Sequence, residues 1–183
     1  MKTAIIFGSS GLIGNELFKT ILLNDSYDKI KVFVRSIPKI NNPKVEIIKT
    51  DFSNLEKYSD KIKGDDCFFC IGTTKKDTPD KNEYRRIEYN IPLDVAKIAK
   101  ASSVNSFFYI SSIGADPNAS SYYLKNKGEV EEELKNLNFT KLAIIRPSLL
   151  VGNRKSFRLG EVIFTPIMYI LTIFAFGSLK KYK

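Results

Sequence analysis

A chain of 183 residues with 43% hydrophobic and 27% charged side chains has the size and composition of one globular domain with a proper core. Its net charge of +9 comes mostly from lysines spread over every segment, with only the short pairs Lys75-Lys76 and Lys180-Lys181. That pattern predicts a generally basic surface and argues against a nucleic-acid platform, which needs a clustered basic stripe.

The opening stretch, Lys2–Phe7, reads as a short apolar strand, and Gly8-Ser9-Ser10-Gly11-Leu12-Ile13-Gly14 follows at once. Ile13, Leu17 and Ile21 then recur at helical spacing. Strand, glycine turn and helix together aim free backbone N–H groups and a helix dipole at a diphosphate. Gly8 would permit the tight turn, Gly11 the approach of a pyrophosphate, and Gly14 close seating of the helix. The spacing is G-x-x-G-x-x-G rather than the commoner G-x-G-x-x-G. Its position between strand and helix favours a bound dinucleotide over a purely structural turn.

The second strand, 29–34, ends at Arg35-Ser36. An acid at this point would hold the ribose 2′-hydroxyl of NAD, whereas an arginine accommodates the 2′-phosphate of NADP. NADP(H) is therefore expected ahead of NAD(H); the alternative is an arginine paired with a surface carboxylate. A third strand, 45–48, leads to Asp51-Phe52 beside the expected adenine pocket. Asp51 either accepts from the adenine amino group or caps a helix beginning near Asn54.

The fourth strand, 66–71, carries Cys67 and Cys70. Residues three apart on a strand point to opposite faces, and no histidine exists to complete a metal site. Both thiols are expected in the core, and no metal is expected. Reduced cysteines and a strand starting at Lys2 with no leader point to the cytoplasm. Gly72, Thr73 and Thr74 end this strand with small and hydroxyl side chains, against which the central riboses of a dinucleotide would lie. The loop 75–81 is charged, turn-rich and expected to be mobile. A helix over 83–101 places Ile87, Ile91, Val95 and Ile98 inward, and Pro92 predicts a kink or a boundary near Asn90.

The fifth strand, Ser106–Ile110, stops at Ser111-Ser112; a helix runs over 122–136; the sixth strand, Lys141–Ile145, ends in Arg146-Pro147-Ser148. This alternation predicts an α/β fold, a three-layer doubly wound parallel sheet, over residues 1–160. Residues 161–183 form a separate apolar stretch. The run 160–177 is shorter than a bilayer span and is interrupted by Pro166. It packs on the domain or on a second copy in a homodimer, or lies on a membrane surface through 162–177 beside Lys180-Lys181.

Tyr123 and Lys127 form Y-x-x-x-K, one helical turn apart on one face. Tyr27 and Lys31 make the same pattern, so the spacing alone carries nothing. The first-named pair opens a helix just after a strand tip with two serines, where ligands of open α/β sheets bind. With the glycine turn and the Arg146-Pro147-Ser148 strand end, the chain resembles an atypical short-chain dehydrogenase/reductase of the Rossmann type. More narrowly, Cys70-Ile71-Gly72-Thr73-Thr74-Lys75, Ser111-Ser112-Ile113-Gly114-Ala115-Asp116, Lys127-Gly128-Glu129-Val130-Glu131 and Arg146-Pro147-Ser148-Leu149-Leu150 are similar to the Tat-interacting-protein-like oxidoreductases.

The resemblance implies a reductase of a small carbonyl substrate. Tyr123 would protonate the carbonyl oxygen, and Lys127 would lower the phenol pKa and hold the nicotinamide ribose. Ser112, with Ser111 as the alternative, would hydrogen-bond the same oxygen. Pro147 and Ser148 would border the nicotinamide, and Asn90 would match the family's structural asparagine. The competing expectations are that Tyr122 rather than Tyr123 turns inward, and that the chain is a non-catalytic NADP(H)-binding regulator acting through a protein partner or the membrane surface.

Overall fold

Six short strands, each rich in β-branched and aromatic residues, align in one sheet of order β3-β2-β1-β4-β5-β6. They are β1 (Lys2–Phe7), β2 (Tyr27–Val34), β3 (Val45–Lys49), β4 (Asp66–Phe69), β5 (Ser106–Ile110) and β6 (Lys141–Ile145). Every neighbouring pair is parallel. The helices are α1 (Leu12–Leu22), α2 (Lys81–Arg85), α3 (Ile91–Ala101) and α4 (Tyr122–Asn136). The computed structural model describes residues 2–147. Ser148, the boundary expected at residue 160 and the apolar stretch 161–183 lie outside the described residues.

Strand alternation sorts the core into two faces. Ile5 and Phe7 of β1 join Phe33, Phe69, Phe107 and Tyr109 in one cluster with Val95, Ile98, Val130 and Leu134 of α3 and α4. Ala4 and Ile6 alternate with them, and the buried Leu17, Phe18 and Ile21 come from α1, which packs on β1 and β2. A row of rings crosses the sheet near its C-terminal edge: Phe33 to Phe7 at 4.4 Å, Phe7 to Phe69 at 6.0 Å, Phe69 to Tyr109 at 6.2 Å. The register Phe33↔Phe7↔Phe69↔Tyr109 makes this row. Its apolar floor lies directly under the strand tips that carry the site.

Some local expectations change. The fourth strand ends at Phe69, not residue 71: Cys70 N–H makes a last bond to β1, on Phe7 O at 2.8 Å, and the chain then leaves the sheet. The helix expected near Asn54 is only a 3-10 turn, Leu55–Tyr58. The single helix expected over 83–101 starts at Lys81, where the Asp80 carboxylate caps Glu83 N–H. It then widens into a π turn, Arg86–Asn90, before α3. Pro92, in the first turn of α3, has no N–H to give the Glu88 carbonyl four residues back. The boundary at Asn90 falls where proline chemistry puts it. The 74–78 stretch is a hydrogen-bonded turn, with Asp77 and Thr78 N–H on Thr74 O.

Candidate functional site

The strand order reverses between β1 and β4, and the chain leaves both strands there at their C-terminal ends. After β1, Gly8 takes φ +89, and a Cβ on it would stand 2.7 Å from the Cys70 carbonyl carbon. Gly14 is tighter still: its Cβ would fall 2.0 Å from Gly8 O. The turn is thus folded onto itself and onto the end of β4, and only glycine fits at either place. Gly11 N–H donates to Gly8 O at 3.0 Å and Gly11 stands as the N-cap of α1 without a side-chain cap. The first turn of α1 carries no acid. The early N–H groups of Leu12, Ile13 and Gly14 therefore have no intrahelical acceptor, and the positive end of the helix dipole is left uncompensated. Ser9 is buried and Ser10 exposed in the same turn. A diphosphate fits this cradle.

Beyond β2, Arg35, Lys49 and Lys57 line one open cleft of about 450 Å³ with Thr50, Asp51 and Tyr58. Arg35 and Ser36 are exposed. No carboxylate lies within ion-pair distance of Arg35 among the described residues. Asp51 does not cap a helix: its carboxylate accepts from Ser53 N–H at 2.9 Å and Ser53 Oγ at 2.7 Å. Those two bonds hold its carboxyl below the usual range. Phe52 was expected beside the adenine, but its ring is buried 6.3 Å from Phe7, with the backbone at φ +62. Its N–H donates to Thr50 Oγ1 at 3.0 Å and its carbonyl accepts from Arg86 Nη1 at 3.2 Å.

At the tip of β4, Thr73 N–H donates to Glu88 Oε1 at 2.5 Å, and its hydroxyl meets Thr78 Oγ1 at 2.8 Å. Thr74 Oγ1 donates to Asp77 Oδ2 at 2.6 Å. Cys67 and Cys70 are free thiols. Burial raises both, Cys70 to about 12 even with the Lys127 ammonium acting against it. Cys67 lies in the core as expected, whereas Cys70, expected there too, is only partly buried where the chain leaves the sheet.

The two serines after β5 separate clearly. Ser111 is 3% exposed, and its Oγ donates to Glu131 Oε1 at 2.5 Å. Glu131 also takes both Nε and Nη2 of Arg146. Ser112 is half-buried and makes only a long bond, 3.3 Å, to Ile113 O. On α4, Tyr122 and Tyr123 are both partly exposed, at 42% and 36%, so neither is the inward residue. Tyr122 packs on Tyr84 with ring centres 5.8 Å apart.

Lys127 is the inward one. It is 4% exposed, with Nζ donating to Ile110 O at 3.1 Å, 3.0 Å from Glu88 Oε2 and 4.8 Å from the centre of the Tyr109 ring. Burial works against its charge, while Tyr109, Glu88 and Tyr123 favour it and prevail, holding the ammonium above the ordinary lysine range. Next to it Asn126 is fully buried and takes Arg85 Nη1 on its Oδ1 at 2.6 Å. Gly128 lets the preceding loop cross α4, since a Cβ there would stand 2.2 Å from the Asp116 carbonyl carbon. Asn90 is exposed at the end of the π turn. The side chain that the turn sends to Lys127 is Glu88, which sequence reasoning missed. Its one signal was an acid four residues after Tyr84 and three before Ile91, on the buried stripe. Pro147 is buried just past β6.

A parallel sheet that reverses at β1/β4, with an uncapped helix on a glycine turn at that point, defines a dinucleotide-binding Rossmann domain of the short-chain dehydrogenase/reductase type. The chain matches the family described as NAD(P)H-binding over residues 8–161. It is 34% identical over 166 residues to Protein HTATIP2 of Rattus norvegicus, covering 87% of this chain and 67% of that protein. It is 31% identical over 160 residues to Protein FMP52-1, mitochondrial, of Scheffersomyces stipitis, covering 84% and 70%. The chain belongs to the NAD(P)H-binding family, in its Tat-interacting-protein-like branch of atypical short-chain dehydrogenases/reductases.

Among solved structures, the Bordetella bronchiseptica enzyme WbmH in complex with NAD+ aligns with TM-score 0.66 and 18% identity over 80% of this chain and 55% of that one. Pen from Bacillus thuringiensis aligns with TM-score 0.67 over 79% and 50%. These likenesses show the fold, and the chain spans about half the length of each. The cytoplasmic placement expected from the cysteines and the N-terminus is corrected by the relatives, several of which are named as mitochondrial proteins. No helix among the described residues is long and apolar enough to cross a membrane.

Proposed function

We propose that the chain is an NADP(H)-dependent reductase of a small carbonyl compound, with Tyr123, Lys127 and Ser112 as its working set. The observation that carries this reading is the division of labour at the strand tips. Ser111 and Lys127 are buried and bonded inward, while Ser112 is only half-buried and Tyr123 is 36% exposed. Bound NADP(H) supplies the hydride that reduces the carbonyl carbon. Tyr123 Oη donates its proton to the carbonyl oxygen as negative charge develops there. The Lys127 ammonium beneath favours the phenolate left behind, and Ser112 Oγ donates a hydrogen bond to the same oxygen.

The preference for NADP(H) over NAD(H) is supported by the cleft after β2, where Arg35, Lys49 and Lys57 meet a single carboxylate, Asp51. An anionic 2′-phosphate suits three cations better than a ribose hydroxyl does. The test is calorimetric titration of the wild-type chain with NADPH and NADH, followed by NADPH oxidation with a panel of aldehydes and ketones. Binding of NADPH with turnover that falls in Tyr123→Phe supports the reading. Turnover unchanged in Tyr123→Phe overturns the assigned acid, and equal affinity for the two nucleotides overturns the cofactor preference.

A further inference from the structure

The carboxylate of Glu88 is 1% exposed, and each of its oxygens faces a different part of the site. Oε1 accepts the Thr73 amide at 2.5 Å, on the strand tip that would run beside the cofactor. Oε2 lies 3.0 Å from Lys127 Nζ. A π turn presents this acid, and Gly72 leaves room for it, since a Cβ there would stand 3.4 Å from Oε1. Among the described residues, Glu88 Oε2, Tyr109 Oη and Asn126 Nδ2 are buried with no hydrogen-bond partner, so the ion pair to Lys127 is the one polar contact Oε2 makes there. A structural ion pair in a core normally satisfies its surroundings. This one leaves buried polar atoms unsatisfied.

We propose that Glu88 is a positioning residue for Lys127, gripping the ammonium with one carboxylate oxygen and the Thr73 strand tip with the other, so that cofactor wall and Tyr123–Lys127 pair move as a unit. The groups facing Lys127 are Glu88 from the π turn, Tyr84 from α2, Tyr109 from β5, Cys70 after β4, and Tyr123 on α4 itself. Of these only Glu88 is a carboxylic acid, and its Oε2 lies 3.0 Å from the ammonium. Removing its charge makes the first proton lost from the Tyr123–Lys127 pair leave at lower pH, whichever of the two groups gives it up.

The test follows the Lys127 ε-carbon by NMR in cofactor-free, 13C-lysine-labelled protein, the signal being identified by its loss in Lys127→Arg. In the wild type Lys127 is expected to stay charged past the ordinary lysine midpoint of about 10.4. In Glu88→Gln its midpoint falls by about one to three pH units, the usual effect of an opposite charge at this distance. Glu88→Asp, which keeps the charge, restores most of the difference. An ordinary midpoint in the wild type, or equal midpoints in wild type and Glu88→Gln, overturns the proposal. Should Glu88→Gln not fold, the wild-type titration and Glu88→Asp still decide it.

The consequence for catalysis rests on the reductase reading. The alkaline limb of kcat/KM for carbonyl reduction moves to lower pH in Glu88→Gln, whereas a merely structural defect lowers it equally at every pH. Lack of NADPH binding would defeat the reductase reading without touching the lysine titration, so the two failures are told apart.

Discussion

Tyr123 and Lys127 are four residues apart, yet one stands at the surface and the other is sealed beneath it. That difference decides what each can do, because a surface phenol can meet a substrate and a buried ammonium can act on it without competing with water. Tyr123→Phe is expected to lower kcat for NADPH-dependent carbonyl reduction by about 10²- to 10⁴-fold, the range of a positioned general acid. Its NADPH affinity, measured by calorimetry, should hardly change. On the proposed reading, Arg35 is the residue that sets cofactor choice. Arg35→Ala should weaken NADPH binding about 10- to 150-fold and leave NADH unaffected, since a charge-assisted bond contributes about 1.5–3 kcal/mol. Equal losses for both nucleotides would mean that Arg35 meets some other part of the ligand. The Tyr–Lys pair and Arg35 were legible because each rests on local spacing or a strand end. Glu88 was missed, because its one local mark is its place on the buried stripe, and the partner that makes it functional lies on another helix.

At the scale of elements, two glycines let backbones approach where no other residue could. Gly14 seats α1 on the Gly8 carbonyl, and Gly128 lets the Asp116-Pro117 corner cross α4. In both cases the obstructing atoms are backbone, so a neighbour cannot swing aside. Gly128→Ala is expected to destabilise the domain by about 1–3 kcal/mol, the cost of overpacking, seen as a lower urea midpoint. Gly14→Ala should also lift α1 off its turn and thereby cost NADPH affinity, which calorimetry would register. The helix after β4 shows the limits of periodicity. Pro92 announced a boundary near Asn90, but not that a π turn would precede it and carry Glu88. Likewise Asp51 read either as an adenine contact or as a helix cap; its carboxylate caps no helix but takes Ser53, while the Phe52 ring turns into the core against Phe7. Which way that ring turns is set by apolar burial, which the strand-end rule does not contain.

Across the whole molecule, acids and thiols buried neutral make the fold sensitive to high pH. Cys70 is raised from 9.0 to about 12 and Tyr109 from 10.0 to about 12, in both cases chiefly by burial. A group whose folded pKa exceeds its unfolded value contributes its full stability below the unfolded value and loses it as pH rises toward the folded one. Thermal midpoints should therefore decline between about pH 9 and 12, and Cys70→Ala should flatten the first part of that decline. The distributed net charge of +9 and the three cations of the β2 cleft make a second whole-molecule expectation. If the 2′-phosphate meets these charges, as proposed, NADPH affinity should weaken with rising ionic strength, because the cleft is open and screened. NADH affinity should depend on salt less.

The sequence by itself determined the parallel α/β plan, the glycine turn and the Y-x-x-x-K helix. Those features follow from hydrophobic period, backbone freedom and spacing within one element, which are local properties. Only the folded chain decided that Ser111 is taken up by Glu131, that Arg35 shares a cleft with Lys49 and Lys57, and that Lys127 rests on Glu88. Each of those pairings joins residues from different elements, and the environment that sets their charge and reach exists only once sheet and helices have closed around them.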